Sequence, residues 1–147
     1  MTKALSGGDV ASRINEAISD AVVDHNDTDV WIDSESLLDA SRFLKTDADL
    51  DFAYLTAVSA VDYIEYFELV YHLLSTRYNH SVVVKSKLFG REAPTVSSVT
   101  GVWRGADLQE REVWDLMGIR FEGHPNLKRV MLWEGFPGHP LRKDYVE

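Results

Sequence analysis

Three consecutive apolar runs between residues 52 and 88 constrain the fold of this chain more than any other feature. They read FAYLTAVSAVDY, FELVYHLLSTRY and HSVVVKSKLF, and they are rich in Val, Tyr, Phe and Thr. β-Branched and aromatic side chains suit a pleated, half-buried surface. Tyr78, Asn79 and His80 stand where a tight turn can join the last two runs. The runs therefore predict three successive antiparallel strands.

The residues before these runs have the spacing of helices. Residues 9–22 are predicted to form an amphipathic helix with Asp9 as its N-cap, residues 30–32 a short strand, and residues 34–45 a second helix. Together with the three strands, this order predicts an α/β (α+β) fold. We expect a small mixed, largely antiparallel sheet with covering helices.

The helical period returns after Pro94 and continues through Trp103. Gly105 weakens a continuous helix, so a break is predicted there, with Asp107 restarting the helix as N-cap. Gly118 is placed to end this helix in the left-handed conformation that other residues resist.

Composition excludes several functional classes. At 147 residues the chain fits one domain, and no apolar run reaches the roughly 18 residues that span a membrane. No secretory signal is present, so we expect the protein to stay in the compartment where it is made. The absence of cysteine excludes disulfides, thiol nucleophiles and thiolate-held metal clusters. The net charge of −9, with eleven acidic and four basic residues in 1–50, argues against a nucleic-acid partner.

The last part of the chain differs in kind from the rest. Residues 119–147 contain three of the four prolines and yet keep several large aromatic side chains. Such a segment cannot build its own core, so its apolar residues must dock on the domain or on a partner. We therefore divide the chain into an α/β domain, 1–118, and an extended C-terminal interaction arm, 119–147. Within the arm, only residues 129–133 (RVMLW) are predicted to form a short strand.

The tripeptide Gly-His-Pro occurs twice in this arm and presents His124 and His139 in matching local settings. Two histidines could be metal ligands with Glu122, Glu134 or Asp144, or they could form an acid/base pair. Glycine before each histidine and proline after it favour rigid turns instead. The spacing alone leaves these alternatives open.

An acidic cluster, Glu110, Glu112 and Asp115, surrounds Arg111 on the predicted helix. Paired carboxylates can serve acid/base catalysis, but a carboxylate on an apolar helix face must be paired or protonated. For Glu110 we favour a structural role, either as the second member of a capping box or in a salt bridge. Its candidate partners are Arg111, Arg120 and Arg129.

The stretch from Glu110 to Tyr145 resembles a known signature. It reads EREVWDLMGIRFEGHPNLKRVMLW followed by GFPGHPLRKDY, and the similarity extends upstream through FELVYHLLSTRYNHSVVVKSKLF and PTVSSVTGVW. This pattern, over about residues 52–145, resembles the C subunit of the proton-pumping NADH:quinone oxidoreductase, respiratory complex I. The chain departs from the family pattern at Arg104, Leu108 and Met117.

The resemblance implies a peripheral-arm subunit with no catalytic, cofactor-binding or metal-binding residues of its own. The complex would use FMN, Fe–S clusters and a quinone, all held by other subunits. The implied partners are chiefly the large quinone-site D subunit, and also the B and I subunits, at the cytoplasmic face of the cell membrane or the stromal or matrix side of an organelle. One alternative is the equivalent subunit of a membrane-bound [NiFe]-hydrogenase-type complex. Another, of a different class, is a stand-alone His-dependent metalloenzyme.

The resemblance also assigns roles to individual positions. The family signature falls on Glu110, Arg111, Glu112, Trp114, Asp115 and Gly118. The predicted subunit interface comprises Phe121, His124, Pro125, Trp133, Phe136, His139, Pro140, Arg142, Lys143 and Tyr145. In this interface we expect the aromatic side chains to be apolar contacts, and Arg142 and Lys143 to pair with acidic groups on the partner.

Overall fold

The computed structural model describes residues 2–146 and has the mixed architecture that the sequence predicts. Its main sheet has six strands in the order β2-β3-β6-β5-β4, with β1 also paired to β6. The strands are β1 (Lys3–Ala4), β2 (Val22–His25), β3 (Asp29–Ile32), β4 (Tyr54–Asp62), β5 (Phe67–Ser75) and β6 (His80–Leu88). The pairs β4–β5 and β5–β6 are antiparallel, as predicted, whereas β6 runs parallel to both β1 and β3.

Within residues 2–146 the helices are α1 (Gly7–Ala17), α2 (Leu37–Thr46) and α3 (Ala106–Met117), with a 3₁₀ turn at Ser34–Ser36 before α2. They contribute side chains to one core with Phe67, Leu69 and Leu73 of β5. Alternate residues of the strands face away from this core. A candidate membrane-spanning helix is not found among residues 2–146.

The first helix differs from the prediction at both ends. Its N-cap is Ser6, and Asp9 lies inside its first turn. It ends at Ala17 because Val22–His25 form β2, an edge strand that the sequence did not indicate. Ile18 and Ala21, which extended the helical pattern, pack against the core from the connection between helix and strand.

The segment after Pro94 is not helical, contrary to the prediction. Thr95–Ser97 form strand β7, which pairs in parallel with β8 (Arg120–Glu122) in a separate two-stranded sheet. Trp103 follows in a turn. The helical spacing arose because Val96, Val99 and Trp103 are all buried, although a strand and a turn, rather than a helix, place them there.

Candidate interaction surface

Asp115 organises the chain that follows α3. Its carboxylate has no exposed surface, and Oδ2 accepts hydrogen bonds from three consecutive backbone N–H groups, those of Val130 (3.0 Å), Met131 (2.7 Å) and Leu132 (3.0 Å). Consecutive N–H groups that converge on one oxygen form an anion-binding nest. The predicted strand at residues 129–133 is therefore wrong, because these backbone groups bind a side chain of the helix instead of a neighbouring strand.

Arg129 completes this arrangement. Its Nη1 lies 2.9 Å from Asp115 Oδ1, and its Nη2 donates to the carbonyl oxygens of Phe136 and Gly138, each at 2.8 Å. Burial alone would raise the pKa of Asp115, but the three N–H donors and the guanidinium outweigh it and lower that pKa. The charge of Asp115 is thus retained inside the protein and fixes the path of the chain.

The fixed path presents apolar side chains to solvent. Met131 is 63% exposed and Trp133 is 65% exposed, and Val130 is exposed beside them. We call these three residues the C-terminal ridge. The ring of Phe136 meets that of Trp133 edge-on, with 5.6 Å between centroids. Two of the predicted interface residues, Trp133 and Phe136, are therefore brought together by the structure.

The two histidines lie at opposite ends of α3. His124 Nε2 is 3.1 Å from the backbone oxygen of Asp107, and its Nδ1 accepts the N–H of Asn126 at 2.9 Å. His139 Nδ1 is 2.9 Å from the backbone oxygen of Asp115. At 1.5 Å per residue, Asp107 and Asp115 are separated by about 12 Å along the helix. The histidines therefore do not share a site, and residues 2–146 contain no group of three or more potential ligands placed to hold a metal ion.

Gly118 ends α3 in the left-handed conformation, with φ of 76°, as predicted. A Cβ at this position would lie 2.7 Å from Cδ2 of His139, so glycine is also required by the close approach of that ring. The same imidazole packs against Trp114, with 4.9 Å between centroids. The C-terminal end of the helix and the second Gly-His-Pro turn are thus fitted to each other.

Glu110 is bonded within the chain, but not to the partners predicted. The helix N-cap is Gly105, and the fully buried Glu110 carboxylate accepts the Ser98 hydroxyl at 2.6 Å and the Val99 N–H at 2.8 Å. Burial raises the pKa of Glu110. Both the capping box and the predicted salt bridge to Arg111, Arg120 or Arg129 are wrong, because this carboxylate holds the turn after β7. Arg111 instead donates to the carbonyl oxygens of residues 128 and 129, and Glu112 is exposed.

A second ion pair, between the buried Asp62 and the half-buried Arg91, was not indicated by the sequence. Both guanidinium Nη atoms of Arg91 lie 2.7 Å from the Asp62 carboxylate. Asp62 also accepts the backbone N–H of Lys143 at 2.8 Å, and Arg91 Nε reaches Asp144 at 3.1 Å. The bond from Arg91 is the main reason that the pKa of Asp62 lies well below its usual range. The pair therefore ties the end of the chain to the β4–β5 connection.

Two predicted interface residues make their contacts inside the chain itself. Phe121 is buried in the protein's own core through β8, so it has no surface to offer a partner. Arg142 pairs with Asp144 at 2.9 Å, bonds to the carbonyl oxygen of Arg91, and lies over the ring of Phe67. Its charge is therefore paired inside the molecule, and its role as a cation for an acidic partner stays a prediction.

The remaining predicted interface residues lie at the surface of the same segment. Pro125 is exposed, Pro140 and Tyr145 are half-buried, and the side chain of Lys143 is exposed. The segment follows its own domain closely, because residues 124, 129, 139 and 143 all bond to groups before residue 119. Its role as an interaction arm stays a prediction.

Comparison with known proteins places this architecture in a family. The family described as "Respiratory-chain NADH dehydrogenase, 30 Kd subunit" matches residues 30–147. The chain is 47% identical over 114 residues to the C 2 subunit of NADH-quinone oxidoreductase from Rhizobium meliloti (strain 1021), covering 76% of this chain and 62% of the relative. It is 38% identical over 148 residues to the C subunit of NADH-quinone oxidoreductase from Roseiflexus sp. (strain RS-1), covering 96% of this chain and 84% of the relative.

A solved structure shares the fold as well. It is described as the membrane-bound sulfane sulfur reductase, an archaeal respiratory membrane complex, and a chain of it aligns with a TM-score of 0.75 and 25% identity. The alignment covers 95% of this chain and 85% of that chain. The family match and the C-subunit relatives agree over most of the sequence. The chain therefore belongs to the family of the 30 kDa subunit of respiratory-chain NADH dehydrogenase.

Proposed function

We propose that this chain is a non-catalytic, peripheral-arm subunit of an NADH:quinone oxidoreductase. Electrons would pass from the donor through FMN and Fe–S clusters to a quinone, all held by other subunits. Relatives that align with nearly the whole chain and are named as the C subunit of such an enzyme support this assignment. The chain itself would hold its neighbours at fixed positions, because electron transfer depends on the separation of the redox centres.

The C-terminal ridge is the observation that carries this proposal. Exposed apolar side chains are unfavourable in water unless a partner covers them, and tryptophan is frequent among residues that dominate interface energies. The Asp115–Arg129 pair preorganises the ridge, so that little conformational entropy is lost on binding. We propose that the ridge contacts the large D subunit, with the B and I subunits nearby, at the cytoplasmic face of the membrane.

Copurification tests the proposal. An affinity-tagged chain expressed in its native host is expected to bring down the large quinone-site subunit. Trp133→Ala is expected to reduce that yield at least tenfold, whereas Tyr54→Ala, which removes an exposed aromatic side chain of β4, leaves it unchanged. Full recovery of the large subunit with Trp133→Ala would remove the ridge from the interface. Absence of that subunit from the wild-type preparation would overturn the proposed function.

A related respiratory complex with another electron donor is the second candidate. The structural similarity to the archaeal sulfane sulfur reductase favours it, because that assembly is also a respiratory membrane complex. The same preparation separates the two candidates. Flavin-containing NADH-oxidising subunits in the purified assembly support the first candidate, and a different donor module supports the second.

A further inference from the structure

A second exposed apolar surface lies at the connection between β4 and β5, far along the chain from the C-terminal ridge. Ile64 is 60% exposed and Phe89 is 71% exposed, and Tyr63 is exposed beside them. The rings form a chain of contacts, with centroids 5.3 Å apart for Tyr63 and Tyr66 and 5.6 Å apart for Tyr66 and Phe89. We call Tyr63, Ile64, Tyr66 and Phe89 the hairpin-tip patch.

Ile64 has a backbone conformation that its side chain disfavours. Its φ is 74°, in the left-handed region, where a β-branched residue is a genuine outlier. Glycine would adopt this conformation without strain. Strained residues persist only where their surroundings hold them, and they concentrate at functional sites. An isoleucine at this position therefore indicates that its exposed side chain has a function.

The Asp62–Arg91 pair bonds to both backbone groups of the strained residue. Asp62 Oδ1 accepts the N–H of Ile64 at 2.8 Å, and Arg91 Nη1 donates to the carbonyl oxygen of Ile64 at 2.8 Å. The same carboxylate accepts the N–H of Lys143. One ion pair thus holds both the hairpin tip and the end of the C-terminal segment at Lys143.

The charges around the patch favour a protein partner over a lipid surface. Lys87 Nζ lies 4.8 Å from the centroid of the Tyr66 ring, and the exposed Glu65 stands within the connection itself. Arg91 also adjoins the tip, and its charge is paired with Asp62 and Asp144. The basic groups at the tip are therefore matched by acidic ones, and the whole chain carries a net charge of −9. Attraction to anionic membranes requires clusters of Lys and Arg near the surface.

We propose that the hairpin-tip patch docks into an apolar pocket on a neighbouring protein subunit of the same assembly, with Ile64 as the inserted side chain. This inference rests on the proposed function and adds a second contact to it. Tyrosine, phenylalanine and isoleucine displayed on a rigid convex turn match the fully desolvated centre of a protein interface. The contact is independent of Trp133, which belongs to the C-terminal ridge.

Substitution of Ile64 by glycine gives two effects of opposite sign. Ile64→Gly relieves the backbone strain, so the isolated chain is expected to melt a few degrees higher. The same change removes the inserted side chain, so recovery of the partner subunits from the tagged complex is expected to fall several-fold. If Ile64 had a purely structural role, its replacement would not raise the melting temperature of the isolated chain and at the same time reduce the recovery of partner subunits. Phe89→Ser provides a second variant with normal backbone conformation, and Tyr54→Ser at the other end of β4 is the control.

The outcomes separate this inference from the proposed function. If the wild-type chain recovers no respiratory subunits, the proposed function fails. If the wild type recovers them and both Ile64→Gly and Phe89→Ser recover them equally well, only the hairpin-tip contact is overturned. Flotation with vesicles of phosphatidylethanolamine and phosphatidylglycerol tests the lipid alternative. Vesicle binding that both variants abolish, with subunit recovery unchanged, would also overturn the protein contact.

Discussion

Asp115 and Arg129 are 14 residues apart in the chain and form a buried ion pair with 2.9 Å between Oδ1 and Nη1. The carboxylate comes from α3 and the guanidinium from the segment that follows β8. Because both groups have further hydrogen bonds, the pair determines the conformation of the chain between residues 129 and 138. The C-terminal ridge is therefore shaped by a helix side chain.

Removing this charge is expected to destabilise the protein. Asp115→Asn leaves Arg129 without its counter-ion and places an amide N–H₂ group against N–H donors. Loss of one partner of a buried pair costs about 3 kcal/mol. Urea denaturation followed by far-UV circular dichroism measures the change in the free energy of unfolding. The control is Glu112→Gln, which neutralises an exposed carboxylate of the same helix, and a loss equal to that of the control would contradict the assigned role.

Acid is expected to weaken the contact at the β4–β5 connection. Arg91 lowers the pKa of Asp62 from the ordinary 3.8, so the unfolded chain takes up a proton before the folded one does. The stabilisation is complete above pH 3.8 and is lost as the pH falls below it toward the lowered pKa. Urea midpoints measured between about pH 6 and pH 2 should fall less steeply for Asp62→Asn than for the wild type. Equal slopes would exclude a contribution from this pair.

Glu110 is expected to show the opposite dependence on pH. Burial raises its pKa above the ordinary 4.5, so the folded state binds its proton more tightly than the unfolded state does. Stability is therefore lost as the pH rises from 4.5 through the raised value. Glu110→Gln cannot ionise but can still meet Ser98 and Val99. We expect its stability relative to the wild type to increase with pH over this range, and a difference that is constant with pH would contradict the assignment.

Gly118 is expected to tolerate no side chain. Gly118→Ala introduces a Cβ in the left-handed region, 2.7 Å from the His139 ring, and displaces that ring from Trp114. We expect a loss of about 1–3 kcal/mol in urea denaturation. Limited proteolysis of residues 119–146 should also become faster. Gly101→Ala is the matched control, since a Cβ there has no neighbour within 4 Å, and equal behaviour of the two variants would contradict the close packing.

Local patterns were sufficient to predict the centre of the fold. The three strands between residues 52 and 88 and the left-handed end of α3 at Gly118 are confirmed. In the three strands and at Gly118, the types of a few neighbouring residues are enough to determine the backbone conformation. The short strands β2, β7 and β8 were missed, because strands of three or four residues have too few positions to establish a period. The equally short β3 was predicted only because Val30, Trp31 and Ile32 form an uninterrupted apolar run.

The contacts that shape the candidate surface depend on residues far apart in the sequence. Residues 129–133 resemble a strand by composition, yet their N–H groups bind Asp115. Asp62 and Arg91 are 29 positions apart, and no local pattern connects them. Glu110 was predicted to bond within the chain, but its partners lie in a turn that was predicted as helix. Tertiary packing determines which groups such side chains bond to. The family resemblance assigned roles to residues but did not predict these contacts.

The contact of Asp62 with the backbone of Lys143 is expected to form late in folding. It joins residues 81 positions apart, whereas β4 and β5 are joined directly by residues 63–66. Closing a long loop requires more conformational entropy to be lost before the contact forms. We therefore expect the hairpin to form early and the C-terminal segment to attach after the folding transition state. Asp144→Ala removes a C-terminal partner of Arg91 and leaves the Asp62–Ile64 bond of the hairpin intact. It should speed unfolding and leave the refolding rate nearly unchanged.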